Sequence, residues 1–438
     1  MRVPVINTDA GLLETIRGCF AQANAATQAS RKREQAPLTP VPVRDADSAI
    51  EFITYEMPAL SIISFSDHSI DAFSVMERVV ADPWLNNGGI IAVTDDPESF
   101  RRVDGLKHTN LLIILQRGDL KHQLPTVLEV VQRNRHIVSQ RSLQSGLLST
   151  MTGHFDLGMD LLLVPCYANL VANYLYNMGF VDAATKARVA LMLTEMLVNA
   201  IEHGNCGISG AEKAAYLAEH GDIRGLIAER CRDAAVAART VFFGYEMERD
   251  RSTFVIRDQG QGFDWRPFVS PGQEADAMAL HGRGILLTAT TAGSMRYNDA
   301  GNEVTLTIEH QRAAVSPIPS AFRDSEVVSV RPEQVIFREG EESSFVYYIA
   351  EGEYRVMVGG RVVYTMLPED VLMGEMSFLL EEVRSATVIA NRPGKLIKIG
   401  KESLINAIKA QPYYGIMIAK LLARRLLRFN LGLGAGAN

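Results

Sequence analysis

The sequence predicts a multidomain chain: a doubly wound α/β domain, then an α+β sandwich, then a β-roll closed by C-terminal helices. Three observations predict it. Up to about residue 125, short apolar runs alternate with amphipathic stretches, the pattern of a parallel sheet wound with helices. From about 150 to 310, long helical periods mix with strands, and glycine pairs fall beside them. Beyond the proline-bearing linker "QRAAVSPIPSAF", short strands are punctuated by "REGEE", "AEGE" and "VGGR". A chain of 438 residues is also too long for one core. The expected divisions are 1–125, a linking helix over 126–150, a second domain over 151–310, a linker over 311–322 and a third domain over 323–438.

Composition narrows the class. Apolar residues make up 47% and charged residues 22%, the balance of a soluble globular protein. A net charge of −7 argues against general affinity for nucleic acid. Lys420, Arg424, Arg425 and Arg428 are a local exception and read as a solvated helix face. Cys19, Cys166, Cys206 and Cys231 are scattered, which suits reduced thiols better than a disulfide framework or a zinc site. The opening "MRVPVINTDAG" lacks a signal-peptide pattern, and no apolar run reaches about 18 residues. A cytoplasmic protein with no membrane partner is the expectation.

In the first domain "VPVI", "LSIISF", "GIIAV" and "LLIIL" read as strands, and "ANAATQASRKREQAPLTP" as a polar loop. "LPTVLEVVQRNRHIVSQRSLQSGLLS" reads as one long helix to the next domain; such a helix admits a homodimer, although its apolar stripe is short. In outline this domain resembles a response-regulator receiver domain. That family places acidic residues after the first strand, a phosphorylatable aspartate after the third and a lysine after the fifth. Here the matching places hold Asn7 and Thr8, Ser64 and Gln116; only Thr94, after the fourth strand, fits. Asp9 and Asp67 lie near enough for weak metal binding, but the acidic pocket for magnesium is missing. The expectation is a pseudo-receiver, a packing or dimerisation module without phosphorylation.

The middle domain carries the strongest signal. In "TEMLVNAIEHGN" the residues Glu195, Asn199 and His203 recur at four-residue steps and share one helix face. Leu193, Met196, Leu197, Ala200 and Ile201 fall opposite and would anchor the helix. "VIRDQGQGFDW" puts Asp258 at a strand end, with Gly260 and Gly262 directly after it. A carboxylate there can accept a hydrogen bond from an exocyclic amine, and the glycines let the backbone approach a flat base. "HGRGILLTATTAGSMRYNDAGNEVTLTI" puts Gly282, Arg283 and Gly284 at a helix entry, where backbone N–H groups can meet phosphate oxygens. Asn199 supplies a neutral oxygen for a hydrated magnesium ion. Each glycine pair alone would be an ordinary turn; three clusters in this order, tied to a Glu-x-x-x-Asn helix, are not.

Those three stretches resemble the N, G1 and G2 boxes of the GHKL ATPase superfamily, most of all its anti-sigma-factor serine kinases, across about residues 155–310. The resemblance implies ATP and Mg2+ as cofactors. Asn199 would hold the metal and Asp258 the adenine amine, Gly260, Gly262, Gly282 and Gly284 would shape the pocket and lid, and Glu195 would act as general base. A serine or threonine on an anti-sigma-antagonist-like partner would be the acceptor. The alternative is a non-catalytic switch whose ATP-bound form sequesters a sigma-factor-like regulator. A histidine-kinase reading would need His136 as acceptor, without its usual acidic and Arg-Thr-Pro context. The segment 207–239 is an insertion of open role, a cap or partner surface as readily as surplus packing.

In "MGEMSFLLEEVRSATVIA", Gly374 and Glu375 precede Arg384 by about ten residues. A cyclic phosphodiester suits arginine's planar fork, a ribose hydroxyl suits a carboxylate acceptor, and a glycine opens a short helix towards phosphate. With the hairpins before it, this stretch resembles the phosphate-binding cassette of the cyclic-nucleotide-binding domain family, across about residues 323–430. The resemblance implies a second-messenger effector held by Gly374, Glu375, Met376, Arg384 and Ser385. The Ser385 hydroxyl leaves cAMP and cGMP both open, and Val383 stands where the family usually has proline. No DNA-reading helices are expected beyond the roll.

Overall fold

The computed structural model describes residues 1–29, 36–82, 85, 88–106, 109–138, 150–178, 180–248, 250–266, 293–310, 320–322, 324–380, 382–416, 418–419 and 421–423. The first domain runs β1 (Arg2–Ile6), α1 (Ala10–Ala29), β2 (Thr39–Val43), α2 (Ala46–Glu56), β3 (Leu60–Ser64), α3 (Ala72–Ala81), β4 (Gly89–Thr94), α4 (Pro97–Asp104), β5 (Leu111–Gln116) and α5 (Leu120–Arg133). Its five strands are all parallel, in the order β2-β1-β3-β4-β5. β3 and β4 are buried along their whole length, as a sheet covered on both faces demands. Asp45, Asp71 and Asp96 start α2, α3 and α4 by accepting first-turn N–H groups.

The connecting helix expected over 126–150 is different in the structure. Its first part belongs to α5, which begins at Leu120, ends at Arg133 and buries Leu124, Val127, Leu128 and Val131 completely. A short helix, α6 (Arg135–Val138), follows; residues 139–149 lie outside the described residues. Among the described residues, the apolar side chains of α5 and α6 are thus buried within the chain.

The second domain opens with β6 (Thr150–Leu157), then α7 (Val164–Asn177) and α8 (Ala183–Asn199), which runs into a single π turn, Ala200–Asn205. The insertion forms α9 (Gly210–His220), α10 (Arg224–Arg230) and α11 (Ala234–Ala237). β7 (Val241–Glu248), β8 (Arg251–Arg257), β9 (Ser294–Tyr297) and β10 (Glu303–Glu309) complete an antiparallel sheet ordered β6-β7-β8-β10-β9. Strand residues alternate inward, Phe243, Tyr245, Phe254, Ile256, Leu306 and Ile308 facing the helices' apolar residues in one core.

That core is continuous with the first domain's. α7 lies along β5 and bonds its backbone: Asn169 Nδ2 donates to Leu112 O at 3.0 Å and Asn173 Nδ2 to Leu111 O at 3.2 Å. Lys186, 2% exposed on α8, donates to Thr109 O just before β5. An otherwise open sheet edge is thereby closed by the neighbouring domain.

The third domain holds β11 (Glu326–Val330), β12 (Val335–Phe337), β13 (Phe345–Glu351), β14 (Tyr354–Val358), β15 (Arg361–Met366), β16 (Leu372–Met373), α12 (Glu375–Leu380), β17 (Thr387–Ala390), β18 (Gly394–Gly400) and α13 (Lys401–Ala410). Two four-stranded sheets, β11-β18-β13-β16 and β12-β17-β14-β15, make the β-roll. After α13 the chain returns to the first domain. Tyr414 donates to Asp82 Oδ2 at 2.8 Å, Tyr413 donates to the same oxygen, and all three side chains are buried. Met57 and Leu85 pack against the same apolar cluster as Tyr413, Tyr414, Ile418 and Leu421.

Candidate nucleotide sites

Glu195, Asn199 and His203 line one cavity of about 830 Å³, together with Asp258 and Gly262. Leu193, Leu197 and Ile201 are buried in the core, as the helix periodicity requires, whereas Met196 and Ala200, expected on that same face, are buried but also line the cavity. The helix does not end in ordinary α geometry: the π turn widens it just after Asn199, a deviation that recurs at functional sites. The His203 Nδ1–H meets Ile208 O at 2.6 Å, which leaves Nε2 as that ring's acceptor.

Asp258 follows β8 directly and is fixed at both ends of its residue. Its N–H donates to Asn302 O at 3.0 Å, and its Oδ1 accepts from Gly260 N at 2.8 Å. Burial raises its pKa from the ordinary aspartate value, and the Gly260 N–H only partly offsets this. The second carboxylate oxygen is the acceptor a purine amine would use. Close approach explains the glycines. A Cβ on Gly260 would fall 2.2 Å from Gly204 O, and one on Gly204 would fall 2.3 Å from the Asp258 carboxyl carbon. Gly262 has φ +78° and faces Ala300 O, so a side chain there would be strained as well as crowded. Gly282, Arg283 and Gly284 lie outside the described residues.

The structure adds wall residues that spacing alone left unassigned: Gly204, Lys213, Arg239 and Asn302. Asn302 had a signal, since the "GNEV" turn places it beside Asp258 at the β8–β10 pairing. Asn298 shapes that turn, its Oδ1 accepting from Gly301 N at 2.7 Å and Asn302 N at 3.1 Å. Cofactor fit follows from the donor set. The cavity offers a neutral amide at Asn199 and a carboxylate at Asp258, and among the described residues no group of three or more His, Cys, Asp or Glu could hold a metal. Magnesium fits as an ion carried by the nucleotide's phosphates and water with one amide oxygen, not as a caged metal.

In the β-roll, Gly374, Glu375, Met376, Arg384 and Ser385 are brought into one cassette around α12. Gly374 has φ +79°, and a Cβ there would lie 2.2 Å from Arg384 Nη1. Glu375 and Arg384 are 5% and 4% exposed, and their charges act on one another. Met376 and Ser385 are exposed. Arg384 differs from the sequence reading in its direction. Its Nη1 donates to Gly374 O at 2.9 Å and Ser377 Oγ at 3.2 Å, its Nη2 donates to Phe345 O at 2.5 Å, and the guanidinium lies over the Phe337 ring at 4.3 Å. Its Nε is buried without a hydrogen-bond partner, and burial lowers its pKa. The guanidinium thus serves protein acceptors through Nη1 and Nη2, and the Nε–H is the donor left without a partner.

The acids of the first domain are engaged locally. Asp67 Oδ2 accepts from the Thr8 hydroxyl at 2.8 Å and from its backbone N–H. Asp9 caps α1 through Gly11 N and Leu12 N and pairs with Arg117. Its pKa is lowered first by the Leu12 N–H and then by Arg117. Asn7, Ser64 and Thr94 are buried, and among the described residues Asp9 and Asp67 belong to no group of three or more possible metal ligands.

Fold and pockets define a chain with two nucleotide-recognition domains. Residues 167–308 match the histidine kinase-like ATPase domain family and residues 327–411 the cyclic nucleotide-binding domain family. Their union in one chain is the organisation of a nucleotide-regulated signalling protein. The chain is similar to the cyclic AMP receptor protein of Thermus thermophilus, 33% identical over 102 residues, 22% of this chain and 47% of that protein. It is 32% identical over 108 residues to lysophospholipase nte1 of Neurospora crassa, covering 24% of this chain and 7% of the relative. It is 35% identical over 78 residues to the cGMP-dependent protein kinase of Toxoplasma gondii, covering 18% and 8%. The match thus spans less than half of each relative's length. Among solved structures, the catabolite activator protein of Thermus thermophilus is 30% identical, with a TM-score of 0.24, covering 26% of this chain and 56% of that one. No helix among the described residues is long and apolar enough to cross a membrane.

Proposed function

We propose that the chain is a cyclic-nucleotide-regulated protein serine/threonine kinase of the anti-sigma-factor type, acting on an antagonist-like protein. One observation supports it most: Glu195 and Asn199 sit one helical turn apart on the wall of the cavity that Asp258 closes. In this reading Asn199 holds the magnesium that ATP brings, and Asp258 accepts the adenine amine. The Glu195 carboxylate takes the proton of the attacking hydroxyl, while bound magnesium would neutralise phosphate charge. Cyclic nucleotide is sensed in the β-roll, where Arg384 would exchange its carbonyl partners for the phosphodiester.

The linker between the ATPase-like domain and the β-roll spans 311–322, of which residues 311–319 lie outside the described residues. The described contacts support a route for regulation. Tyr413 and Tyr414 join the roll's C-terminal segment to Asp82 of the α/β domain, and β5 of that domain is bonded to α7 and α8 of the ATPase-like domain. The degenerate receiver-like domain is then the mechanical bridge between sensor and kinase, in keeping with a pseudo-receiver that packs and does not phosphorylate.

The test is transfer of radiolabelled γ-phosphate from ATP–Mg to an antagonist-type protein, with and without cAMP or cGMP. Wild type transfers label and Glu195→Ala does not, while both bind ATP. ATP binding without transfer by wild type would remove the kinase claim in favour of a nucleotide-dependent holding surface.

A further inference from the structure

We propose that Lys213, on the insertion between the π turn and β7, is a binding contact for the phosphate chain of the nucleotide. This rests on reading the cavity as an ATP site. The insertion is not surplus packing. Ser209, Gly210, Lys213, Ala214 and Leu217 line the same cavity as Asn199 and Asp258. Positions 210, 213, 214 and 217 follow the i, i+3, i+4, i+7 rule, so one face of α9 forms a wall of the pocket.

That wall is firmly mounted. Ile223, Leu226 and Ile227 enter the main core, Arg230 pairs with Glu212, and Ile208 N donates to Glu202 O at 3.0 Å. Arg239, at the far end of the insertion, donates to Asn205 O at 2.6 Å. Within it, Lys213 Nζ meets Glu202 Oε2 at 2.5 Å. The pair is unequal: the Glu202 side chain is 2% exposed and the Lys213 side chain 31%. A buried carboxylate therefore fixes the ammonium of a residue that itself lines the cavity. Glu202 stands three residues after Asn199 in the chain, and Lys213 and Asn199 share the cavity lining.

Charge decides which part of the ligand belongs there. Lys213 and Arg239 are the Lys and Arg side chains among the described lining residues, and Arg239 acts on Asp258, at the end where the base amine is accepted. A phosphate chain, carrying the ligand's negative charge, is disfavoured beside the lining carboxylates Asp258, Glu195 and Glu303 and favoured beside the Lys213 ammonium. The first turn of α9, opened by Ser209 and Gly210, lies on the same wall.

The measurement is calorimetry of the full chain with ATP–Mg and with adenosine. Lys213→Met alone leaves Glu202 buried and unpaired, so the double variant Glu202→Gln/Lys213→Met keeps the site neutral, and Lys213→Arg keeps the cation. The expected result is a loss of about tenfold in ATP affinity for the double variant (about 1.4 kcal/mol), adenosine affinity within about twofold, and near-complete retention in Lys213→Arg. Unchanged ATP affinity, or equal losses for ATP and adenosine, would overturn the assignment. Wild-type protein that binds no ATP would overturn it together with the reading of the cavity, and is told apart by needing no variant.

Discussion

The two candidate nucleotide sites are prepared to different degrees. In the ATPase-like domain, Asn199, Asp258 and the glycines stand around a cavity of about 830 Å³, with backbone geometry that already excludes side chains from the base plane. In the β-roll the key cation is turned inward, its N–H groups on Gly374 O, Phe345 O and Ser377 Oγ. The described part of the first site is held by its glycines and Asp258, while residues 267–292 lie outside the described residues. In the second, Nη1 and Nη2 of Arg384 are already committed to protein acceptors, and a ligand shifts that arrangement only so far as it favours another. A cation already held by protein suits a sensor.

The largest expected effect breaks the catalytic side of this contrast. Glu195→Ala should lower phosphotransfer by about 100- to 10,000-fold while calorimetric ATP affinity stays put. Next, Gly260→Ala should reduce ATP affinity more than tenfold, because its Cβ would collide with Gly204 O; a variant that binds normally would show the cavity is less rigid than described. Smaller still is the coupling. Tyr413→Phe/Tyr414→Phe removes both donors to Asp82 and should cut the response of phosphotransfer to cyclic nucleotide by about 1–3 kcal/mol of coupling, leaving basal activity in place.

The smallest effect concerns the joint between domains. Burial lowers the Lys186 pKa from 10.5 to about 7. Between those two values the unfolded chain keeps a proton that the folded protein has released, so stability should rise with pH from about 7 to 10.5 and be flat below it. Lys186→Met should abolish that slope and raise stability at pH 6 by roughly 1–3 kcal/mol, read from denaturant melts. An unchanged slope would place the titrating group elsewhere.

Much of this was legible in the chain because local geometry dictates it. Four-residue spacing puts Glu195, Asn199 and His203 on one wall whatever the neighbours do, and a strand end followed by glycines fixes Asp258. The β-roll could be read from its hairpins, and its cassette from Gly374, Glu375 and Arg384. Other features depend on partners far away in sequence. Nothing local says that α5 would bury its stripe under α1, that Tyr413 and Tyr414 would find Asp82, or that Arg384 would turn towards Phe345. Lys213 was visible only as a lysine on an insertion; its meaning comes from Glu202, eleven residues earlier and across the pocket wall.

Calorimetry of the intact protein with ATP–Mg and with cyclic nucleotide tests the central claim most directly, using Asp258→Asn and Arg384→Ala as the two probes. Two separable sites predict that Asp258→Asn weakens ATP alone by about 10- to 100-fold and that Arg384→Ala removes the cyclic nucleotide alone. Loss of both ligands in either variant, or of neither in both, would contradict it.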